Sequence, residues 1–361
     1  MKKVVVTALV LGAAVICSCS SQQQAKQSGI VKGDASKLDT LSYALGSNIA
    51  SSIKYQMPDL PLSFSDMAEG VETAALTSNG MSHEEAITIL QTYFMETRPV
   101  RAELVDEKRN AADSVALANG TSAEDVAAAR AALVADADMF ESEAQRSEVS
   151  FAFGIDLGTN LSNEDLPLQV YWINKGMSDV NNNESVMSEE AVMEYLQNYF
   201  TVVRPAELMK QSLEKLAEVE KLPGVVKTES GLMYRIDKEG DNSVVATNDS
   251  DVVKVNYTGR LLRNNEVFDS SRFEDTSAEM LEMLKMRDPE GYNQDRPIEF
   301  PLNGVIAGWT EGMKLVGKGG RISLWIPAEL AYGAQGAGSA IGPNEALYFD
   351  IELLDVNPTA E

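Results

Sequence analysis

The chain is poor in the side chains on which much enzyme chemistry depends. Its 361 residues include one His and two Cys, too few for a zinc cluster, a His-based triad or a disulfide framework. Basic residues are also scarce, since 30 Lys and Arg stand against 55 Asp and Glu and leave a net charge of -25. A surface of that sign repels phosphate backbones. The composition therefore argues against nucleic acid as a partner, and we expect neither a metal site nor a cofactor.

A long apolar run stands near the amino terminus, at residues 4–16, behind two lysines. The run is too short to cross a bilayer comfortably and has the layout of an export signal. It leads into Cys-Ser-Cys19, which resembles a bacterial lipobox and implies cleavage of residues 1–18 and acylation of Cys19. The lipid chains would then be the only attachment to a membrane. Plain secretion with an incidental Cys is the alternative.

These features predict a lipid-anchored protein in the cell envelope of a Gram-negative bacterium. Ser20 and Ser21 follow Cys19 and give no acidic retention signal, so we expect the outer membrane, with the protein facing the periplasm. Display on the cell surface stays open. Residues 19–37 are rich in Ser, Gln and Lys and poor in large apolar side chains, which predicts a flexible tether.

An internal repeat follows the tether. Residues 41–104 match residues 149–208, first at an offset of 108 and then, after a two-residue deletion, at 106. Apolar residues four apart give each copy one helical stripe. The matching pairs include Leu41 with Val149, Leu45 with Phe153, Ile49 with Leu157, Gly46 with Gly154, Gly70 with Gly176, and Arg98-Pro99 with Arg204-Pro205. Two copies of one helical unit account for the pattern.

Each copy predicts three short helices, the last beginning at an N-cap Ser82 or Ser188 and closing before the Arg-Pro pair. Such a unit exposes an apolar face too large to bury alone, so it seeks another copy. We expect the copies to pair within one chain as a monomeric pseudo-dimer, and a homodimer is the alternative. The predicted segments are repeat 1 (38–101), a helical connector (102–147), repeat 2 (148–208) and a linker helix (209–225).

From Ser230 the period of the apolar residues changes from near four to two, which predicts an antiparallel sheet. A helical segment at 305–315 interrupts it, with Val305, Trp309 and Met313 on one face. A twisted sheet that wraps one short helix is the simplest architecture, with Trp309 directed inward. The alternating apolar residues are Leu232, Tyr234 and Ile236, then Val253, Val255 and Tyr257, then Ile322, Leu324 and Ile326, then Leu347, Phe349, Ile351 and Leu353.

Five motifs in this last part of the chain carry a resemblance to a known family. They are Val255-Asn-Tyr257-Thr-Gly259, Val267-Phe268-Asp269-Ser-Ser271, Val305-Ile306-Ala-Gly-Trp309-Thr-Glu-Gly312, Ile326-Pro327 and Ala331-Tyr332-Gly333-Ala-Gln-Gly336. In order and spacing they resemble FKBP-type peptidyl-prolyl cis-trans isomerases across residues 226–357. The helical region resembles the Mip and FkpA group, whose amino-terminal domains dimerise. The expected fold is thus multidomain, with two tandem all-α repeats followed by an α+β FKBP-like domain.

The resemblance implies a role for particular residues. Tyr257, Phe268, Asp269 and Tyr332 would be catalytic, and Val305, Ile306, Trp309, Ile298, Ile341 and Phe349 would line the substrate site. The Ile306 N–H and the Tyr332 hydroxyl would bind substrate carbonyls, while Asp269 would lie against the carbonyl that twists. The expected partners are proline-containing unfolded or exported polypeptides, and an FK506-like macrolide is a further expected ligand. The reaction needs no covalent step, which fits the scarcity of His and Cys.

Two questions stay open at this level. Residues 273–295 form an insert where the family makes a short crossing, and the insert could contact substrate, cover the site or only decorate the surface. We favour substrate contact. The insert also obscures which arginine, Arg272 or Arg296, if either, pairs with Asp269. The alternative to an isomerase is a periplasmic chaperone or scaffold with a weak proline-binding FKBP module.

Overall fold

The computed structural model describes residues 29–77, 79–131, 135–276 and 278–358. The predicted export signal and Cys19 lie outside these ranges. The described chain divides into two compact units, residues 29–198 and residues 199–358. Within the described ranges, the structure contains no helix with the length and apolar character needed to cross a membrane.

The described part of the first unit is built from helices. Its helices begin at side-chain caps where the sequence offers them. The Ser82 hydroxyl accepts a hydrogen bond from the Glu85 N–H, and the Glu85 carboxylate accepts one from the Ser82 N–H, which together form a capping box. Asp39, Ser63 and Ser142 cap three others. The helices are α1 (Thr40–Gln56), α2 (Phe64–Leu76), α3 (His83–Thr92), α4 (Arg98–Ala118), α5 (Ala123–Ala131), α6 (Glu143–Asn163), α7 (Val170–Asn182) and α8 (Glu189–Asn198).

The two copies of the repeat pair with each other inside this unit. Helix α1 of the first copy packs along α7 of the second, and α6 of the second packs along α2 of the first. Equivalent glycines permit both crossings: a Cβ on Gly46 would lie 2.0 Å from the Ile173 carbonyl oxygen, and one on Gly154 would lie 2.0 Å from that of Met67. Because these contacts mirror each other, the unit has an internal pseudo-twofold relation.

The predicted end of the third helix before each Arg-Pro pair is wrong. Helix α3 passes through a π-helical segment, Tyr93–Thr97, directly into α4, and α8 passes through Tyr199–Val203 into the next helix. The wider π turn uses a hydrogen bond from the Arg98 N–H to the Tyr93 carbonyl. Proline then occupies the first turn of the following helix, where its missing N–H costs no intrahelical bond.

The described part of the connector is largely helical, as predicted, whereas the predicted tether differs from the structure. The connector is folded: α5 lies against α4, with Arg130 paired to Asp113 at 3.1 Å. The tether is shorter than residues 19–37, because Ile30 is buried and Val31 forms a parallel bridge with Gln169. The Val31 carbonyl accepts a 2.9 Å hydrogen bond from the Val170 N–H, so backbone pairing fixes this short segment on the helical unit.

The second unit begins with helix α9 (Arg204–Val219) and continues as an antiparallel sheet. In the described residues the sheet has seven strands in the order β1-β2-β6-β7-β3-β4, and β5 also pairs with β3. The strands are β1 (Val226–Lys227), β2 (Met233–Lys238), β3 (Val252–Leu261), β4 (Val267–Ser270), β5 (Ile298–Pro301), β6 (Arg321–Ile326) and β7 (Leu347–Asn357), and the helices between them are α10 (Ala278–Arg287) and α11 (Ala307–Gly312).

The sheet wraps α11, as the sequence predicted, although the regular helix is shorter than 305–315 and ends in a 3-10 turn at Met313–Leu315. All the alternating residues named above for β3, β6 and β7 are buried on the face that packs on the helix. Gly308 and Gly312 let α11 approach β6 closely, since a Cβ on either would lie within 2.4 to 2.6 Å of the Ile326 or Leu324 side chain. The fold thereby directs Trp309 inward, where it is 4% exposed.

Candidate active site

The rings predicted to form the site meet in the core between the sheet and α11. Tyr257 on β3 and Phe349 on β7 both contact Trp309 on α11, each with ring centroids 5.2 Å apart and near-perpendicular planes. Phe268 on β4 lies edge-on to Phe349 at 5.6 Å. Edge-to-face contacts of this kind hold aromatic rings in fixed orientations. The result is a rigid apolar surface made by three strands and one helix.

Gly259 is part of the same construction. It follows Tyr257 by two residues and therefore points to the same face of β3. A Cβ at this position would lie 2.7 Å from the Phe349 ring and 2.8 Å from the Phe268 ring. Any side chain here would displace the rings, so glycine is required for their arrangement. The sequence motif contained Gly259, but the motif alone did not indicate this function.

Asp269 is the one carboxylate that the structure joins to the ring cluster among the described residues. The Tyr257 hydroxyl donates a short hydrogen bond to its Oδ2. Pairing of β3 with β4 sets this geometry: Asp269 lies opposite Gly259, and Ser271 hydrogen-bonds both the N–H and the carbonyl of Tyr257. Burial raises the pKa of the Tyr257 phenol, and its bond to Asp269 raises it further. Tyr257 is therefore a hydrogen-bond donor across the physiological range.

Four more predicted residues lie around these rings. Val305 and Ile306 are half-buried against the core at the start of α11. Ile306 is the N-cap residue of that helix, a place where N–H groups have no intrahelical acceptor. Ile341 is buried in the same core, and Tyr332 is 41% exposed. Tyr332 is near enough to Tyr257 to influence the pKa of its phenol.

Strand β5 supplies an aromatic ring that the sequence analysis did not predict. Phe300 contacts both Tyr257, at 6.1 Å between centroids, and Trp309, at 5.8 Å. Ile298, the residue expected at this edge, is on the same face of β5 two positions earlier and is 37% exposed. The alternation of Ile298, Glu299 and Phe300 is the signal that could have identified the ring.

The insert at 273–295 is fastened to the opposite face of β3. Asp275 accepts a 3.2 Å hydrogen bond from Arg260, and Asp295 accepts one of 3.4 Å from Asn256. Side chains at even positions of this strand point away from Tyr257 and Gly259. Both stems of the insert therefore lie on the face remote from the rings, which does not favour substrate contact by the stems.

The question of the arginine partner has a structural answer. Arg272 pairs with Asp350 on β7 at 2.9 Å, and Arg296 donates to the Tyr292 carbonyl at 3.0 Å. Asp350 also pairs with Arg321, with 2.6 Å between the Arg321 guanidinium and the Asp350 carboxylate. Asp269 is held by the Tyr257 hydroxyl instead.

Comparison with known proteins agrees with this geometry. Residues 244–354 match the family model described as FKBP-type peptidyl-prolyl cis-trans isomerase. Residues 146–236 match the model described as the domain amino terminal to FKBP-type peptidyl-prolyl isomerase. The second match covers the second helical copy together with α9 and the start of the sheet.

Individual relatives give the same result. A probable FKBP-type peptidyl-prolyl cis-trans isomerase of Haemophilus influenzae is 38% identical over 52% of this chain and 70% of the relative. FkpA of Escherichia coli K12 is 33% identical over 64% of this chain and 83% of the relative. The outer membrane protein MIP of Legionella longbeachae is 30% identical over 60% of this chain and 87% of the relative. The crystal structure of Escherichia coli FkpA aligns with 61% of this chain and all of that chain, at 32% identity and a TM-score of 0.39.

A sheet wrapped on one short helix, with a cluster of aromatic rings between them, is the arrangement of an FKBP-like domain. The chain belongs to the FKBP-type peptidyl-prolyl cis-trans isomerases of the Mip and FkpA kind. It is a peptidyl-prolyl isomerase with a role in protein folding.

Proposed function

We propose that the ring cluster is the site where the prolyl bond of an exported polypeptide isomerises. The observation that carries this assignment is the meeting of Tyr257, Phe268, Trp309 and Phe349 around the Tyr257–Asp269 hydrogen bond. Large rings supply an apolar floor and walls, and few polar groups are needed to orient a substrate.

The chemistry required of such a site is modest. Rotation about an X-Pro bond is slow because amide resonance must be lost, at a barrier of about 18 to 20 kcal/mol. The twisted imide is less polar at its carbonyl than the planar one, so a dry aromatic surface binds it in preference. Each ~1.4 kcal/mol of such preference accelerates rotation about tenfold. In the proposed geometry Trp309 lies under the proline ring, and Ile306 N–H and the Tyr332 hydroxyl bind flanking carbonyls.

A protease-coupled assay on an Ala-Pro-Phe-type peptide tests the assignment. Phe268→Ala and Asp269→Ala should each lower kcat/KM by about tenfold or more, since the first removes an aromatic wall and the second removes the acceptor that holds the Tyr257 hydroxyl. Asp237→Ala is the matched control, because Asp237 is bonded to Ser323 on the other face of the sheet. Activity that survives both pocket variants, or falls equally in the control, would overturn the site. The same assay with added FK506-like macrolide, which should inhibit, checks the expected ligand.

We further propose that the protein works in the cell envelope, held to the outer membrane by lipid on Cys19 and facing the periplasm. Support comes from the lipobox-like sequence and from the Gram-negative origin of its FkpA and MIP relatives. Labelled palmitate should be incorporated by the wild-type chain and not by Cys19→Ser, and fractionation should place only the wild type in outer membranes. Labelling of Cys19→Ser would refute the anchor.

The proposed assembly is a monomer. Pairing of α1 with α7 and of α2 with α6 already buries the faces that a single copy would offer to another chain. The chain from Ser20 onward, measured by light scattering, should have the mass of one copy. A stable dimer would contradict internal pairing as the whole assembly.

A chaperone role is a second candidate, and a groove in the helical unit favours it. The groove lies between α1 and the α7–α8 turn and has a volume of about 890 Å³. Tyr55, 88% exposed, and Met193, 45% exposed, contribute to its lining. If this role is dominant, suppression of aggregation of a reduced client should persist in Phe268→Ala. Loss of suppression in that variant would favour the isomerase alone.

A further inference from the structure

Helix α9 packs on the isomerase domain through Leu216 and Val219, which share a core cluster with Met233 and Trp325. It also contacts the loop of residues 336–346, which we term the pocket loop. The Ser212 hydroxyl on α9 accepts a 3.0 Å hydrogen bond from the Ala346 N–H, and both groups are buried. One turn earlier, Leu208 lies against Gly342: a Cβ on that glycine would be 3.1 Å from the Leu208 Cδ1. The Pro205 carbonyl accepts a 3.3 Å bond from the Asn344 side chain.

The pocket loop connects these contacts to the proposed active site. Its first half is closed by two hydrogen bonds between Ala337 and Ile341, of 2.8 and 3.1 Å, and both side chains pack on the core that contains Trp309. Its second half reaches Tyr332, because the Asn344 N–H donates a 2.9 Å bond to the carbonyl of Gly333. Any shift of the loop would therefore move Ile341 and Tyr332 together.

A buried ion pair supports the same loop from the other side. Glu345 accepts a 2.6 Å hydrogen bond from Arg263, which follows β3, and the carboxylate is only 1% exposed. Burial raises the pKa of Glu345. The positive charges of Arg263 and, to a smaller extent, of Arg204 on α9 oppose that rise. The Leu262 N–H also donates to the Ala346 carbonyl at 2.9 Å. The loop is thus held between α9 and the β3–β4 turn.

The internal repeat shows that this stripe of α9 is not a requirement of the helical fold. At the offset of 106, Leu208, Ser212 and Leu216 correspond to Ala102, Asp106 and Asn110 on α4. Helix α4 also follows a π turn and begins with an Arg-Pro pair, but it has no apolar stripe at these positions. The apolar and hydroxyl side chains are present in the copy that leads into the isomerase domain, which ties them to that domain.

We propose that Ser212 and Leu208 of α9 are positioning residues for the isomerase reaction: they fix the pocket loop and so set how Ile341 and Tyr332 meet the substrate chain. The inference rests on the proposed site, since Tyr332 and Ile341 matter to catalysis only if that site is correct. It predicts that α9 acts on substrate binding rather than on rotation itself, because the rings that face the twisting imide belong to other elements.

The experiment uses the full mature chain with three variants. Ser212→Ala removes one hydrogen bond, Leu208→Ala removes the contact with Gly342, and Leu213→Ala is the matched control because Leu213 is on the same helix and 54% exposed. Hydrogen exchange of the 336–346 amides should quicken about tenfold in the first two variants. KM should rise about three- to tenfold while kcat stays within about twofold. Ser212→Thr, which restores the hydroxyl, should recover the wild-type exchange of the Ala346 amide.

Each outcome separates the inference from the site assignment. Loop exchange is read without any substrate, so it stays informative even if the chain turned over no peptide. Wild-type exchange and KM in both variants would overturn the positioning role, as would equal effects in Leu213→Ala. A fall in kcat with unchanged KM would also overturn it. If Leu208→Ala does not fold, the milder Ser212→Ala still decides the question.

Discussion

The paired glycines of the helical unit make the most direct test of its architecture. In Gly46→Ala the new methyl would lie 2.0 Å from the Ile173 carbonyl oxygen, and in Gly154→Ala it would lie 2.0 Å from that of Met67. Real contacts of Cβ with oxygen are more than 1 Å longer, so the helices must separate. Alanine gains about 0.5 to 1 kcal/mol of helix propensity over glycine, whereas overpacking costs about 1 to 3 kcal/mol or more.

The net expected effect is a loss of about 1 to 2 kcal/mol of unfolding free energy, similar in the two variants. Urea unfolding followed by far-ultraviolet circular dichroism measures it. Ser51→Ala on α1 is the control, since it also places alanine in that helix and should change stability by less than about 0.5 kcal/mol. Catalytic turnover of a tetrapeptide should stay at the wild-type rate, because the rings belong to the other unit. Equal or greater stability of either glycine variant would refute the close crossing of these helices.

Three further predictions concern the isomerase domain. Tyr257→Phe should lower kcat/KM by severalfold and cost about 1 kcal/mol of stability, because it loses the hydrogen bond to Asp269. The control Tyr348→Phe loses a 3.3 Å contact with Ser323 on the other face of the sheet and should keep full activity. Equal activities of the two variants would contradict the role of the Tyr257 hydroxyl. Phe300→Ala should cost about 3 kcal/mol or more in chemical unfolding, and Ile298→Ala, at a site 37% exposed, should cost less than half as much; the reverse order would place the wrong side chain in the ring cluster. Because the raised pKa of Glu345 makes the folded state bind the proton more tightly, its contribution to stability falls as pH rises from the unfolded pKa through the folded one. The stability of Glu345→Gln relative to wild type should therefore increase from pH 4 to pH 7, and a flat difference would show that the buried carboxylate carries no such cost.

Much of the isomerase domain was predictable from its sequence because each signal is local. Alternation by two identified the inward face of β3, β6 and β7, and a four-residue spacing placed Trp309 inward on α11. Motif order then gave the family, which the comparisons confirm. The meeting of Tyr257, Trp309 and Phe349 follows from that order together with the sheet pairing.

Features that depend on pairing between distant segments of the chain were harder to predict from the sequence. The repeat predicted that the two copies would pair. A periodic apolar stripe does not identify the helix on which it packs, so the packing of α1 on α7 could be read only from the tertiary structure. Val31 is attached to Gln169 by backbone pairing, which the side-chain composition of this segment does not indicate. The contact of Phe300 was not predicted because the family resemblance implied Ile298, two residues before it, as the lining residue.

The divergence of α4 from α9 explains how a duplicated helical unit can serve one isomerase domain. Both helices follow a π turn and begin with an Arg-Pro pair, so both start in equivalent surroundings. Helix α9 carries Leu208 and Leu216 toward the isomerase domain, and the equivalent positions of α4 are Ala102 and Asn110. Because α4 has no apolar stripe at these positions, it offers no surface on which a second domain of this kind could pack. Its charged side chains pair within its own unit, for example Lys108 with Asp138 at 2.5 Å. The first copy thus has the pairing surface of the repeat but lacks the apolar stripe by which α9 packs on the isomerase domain, which is what a single-chain pseudo-dimer with one catalytic domain requires.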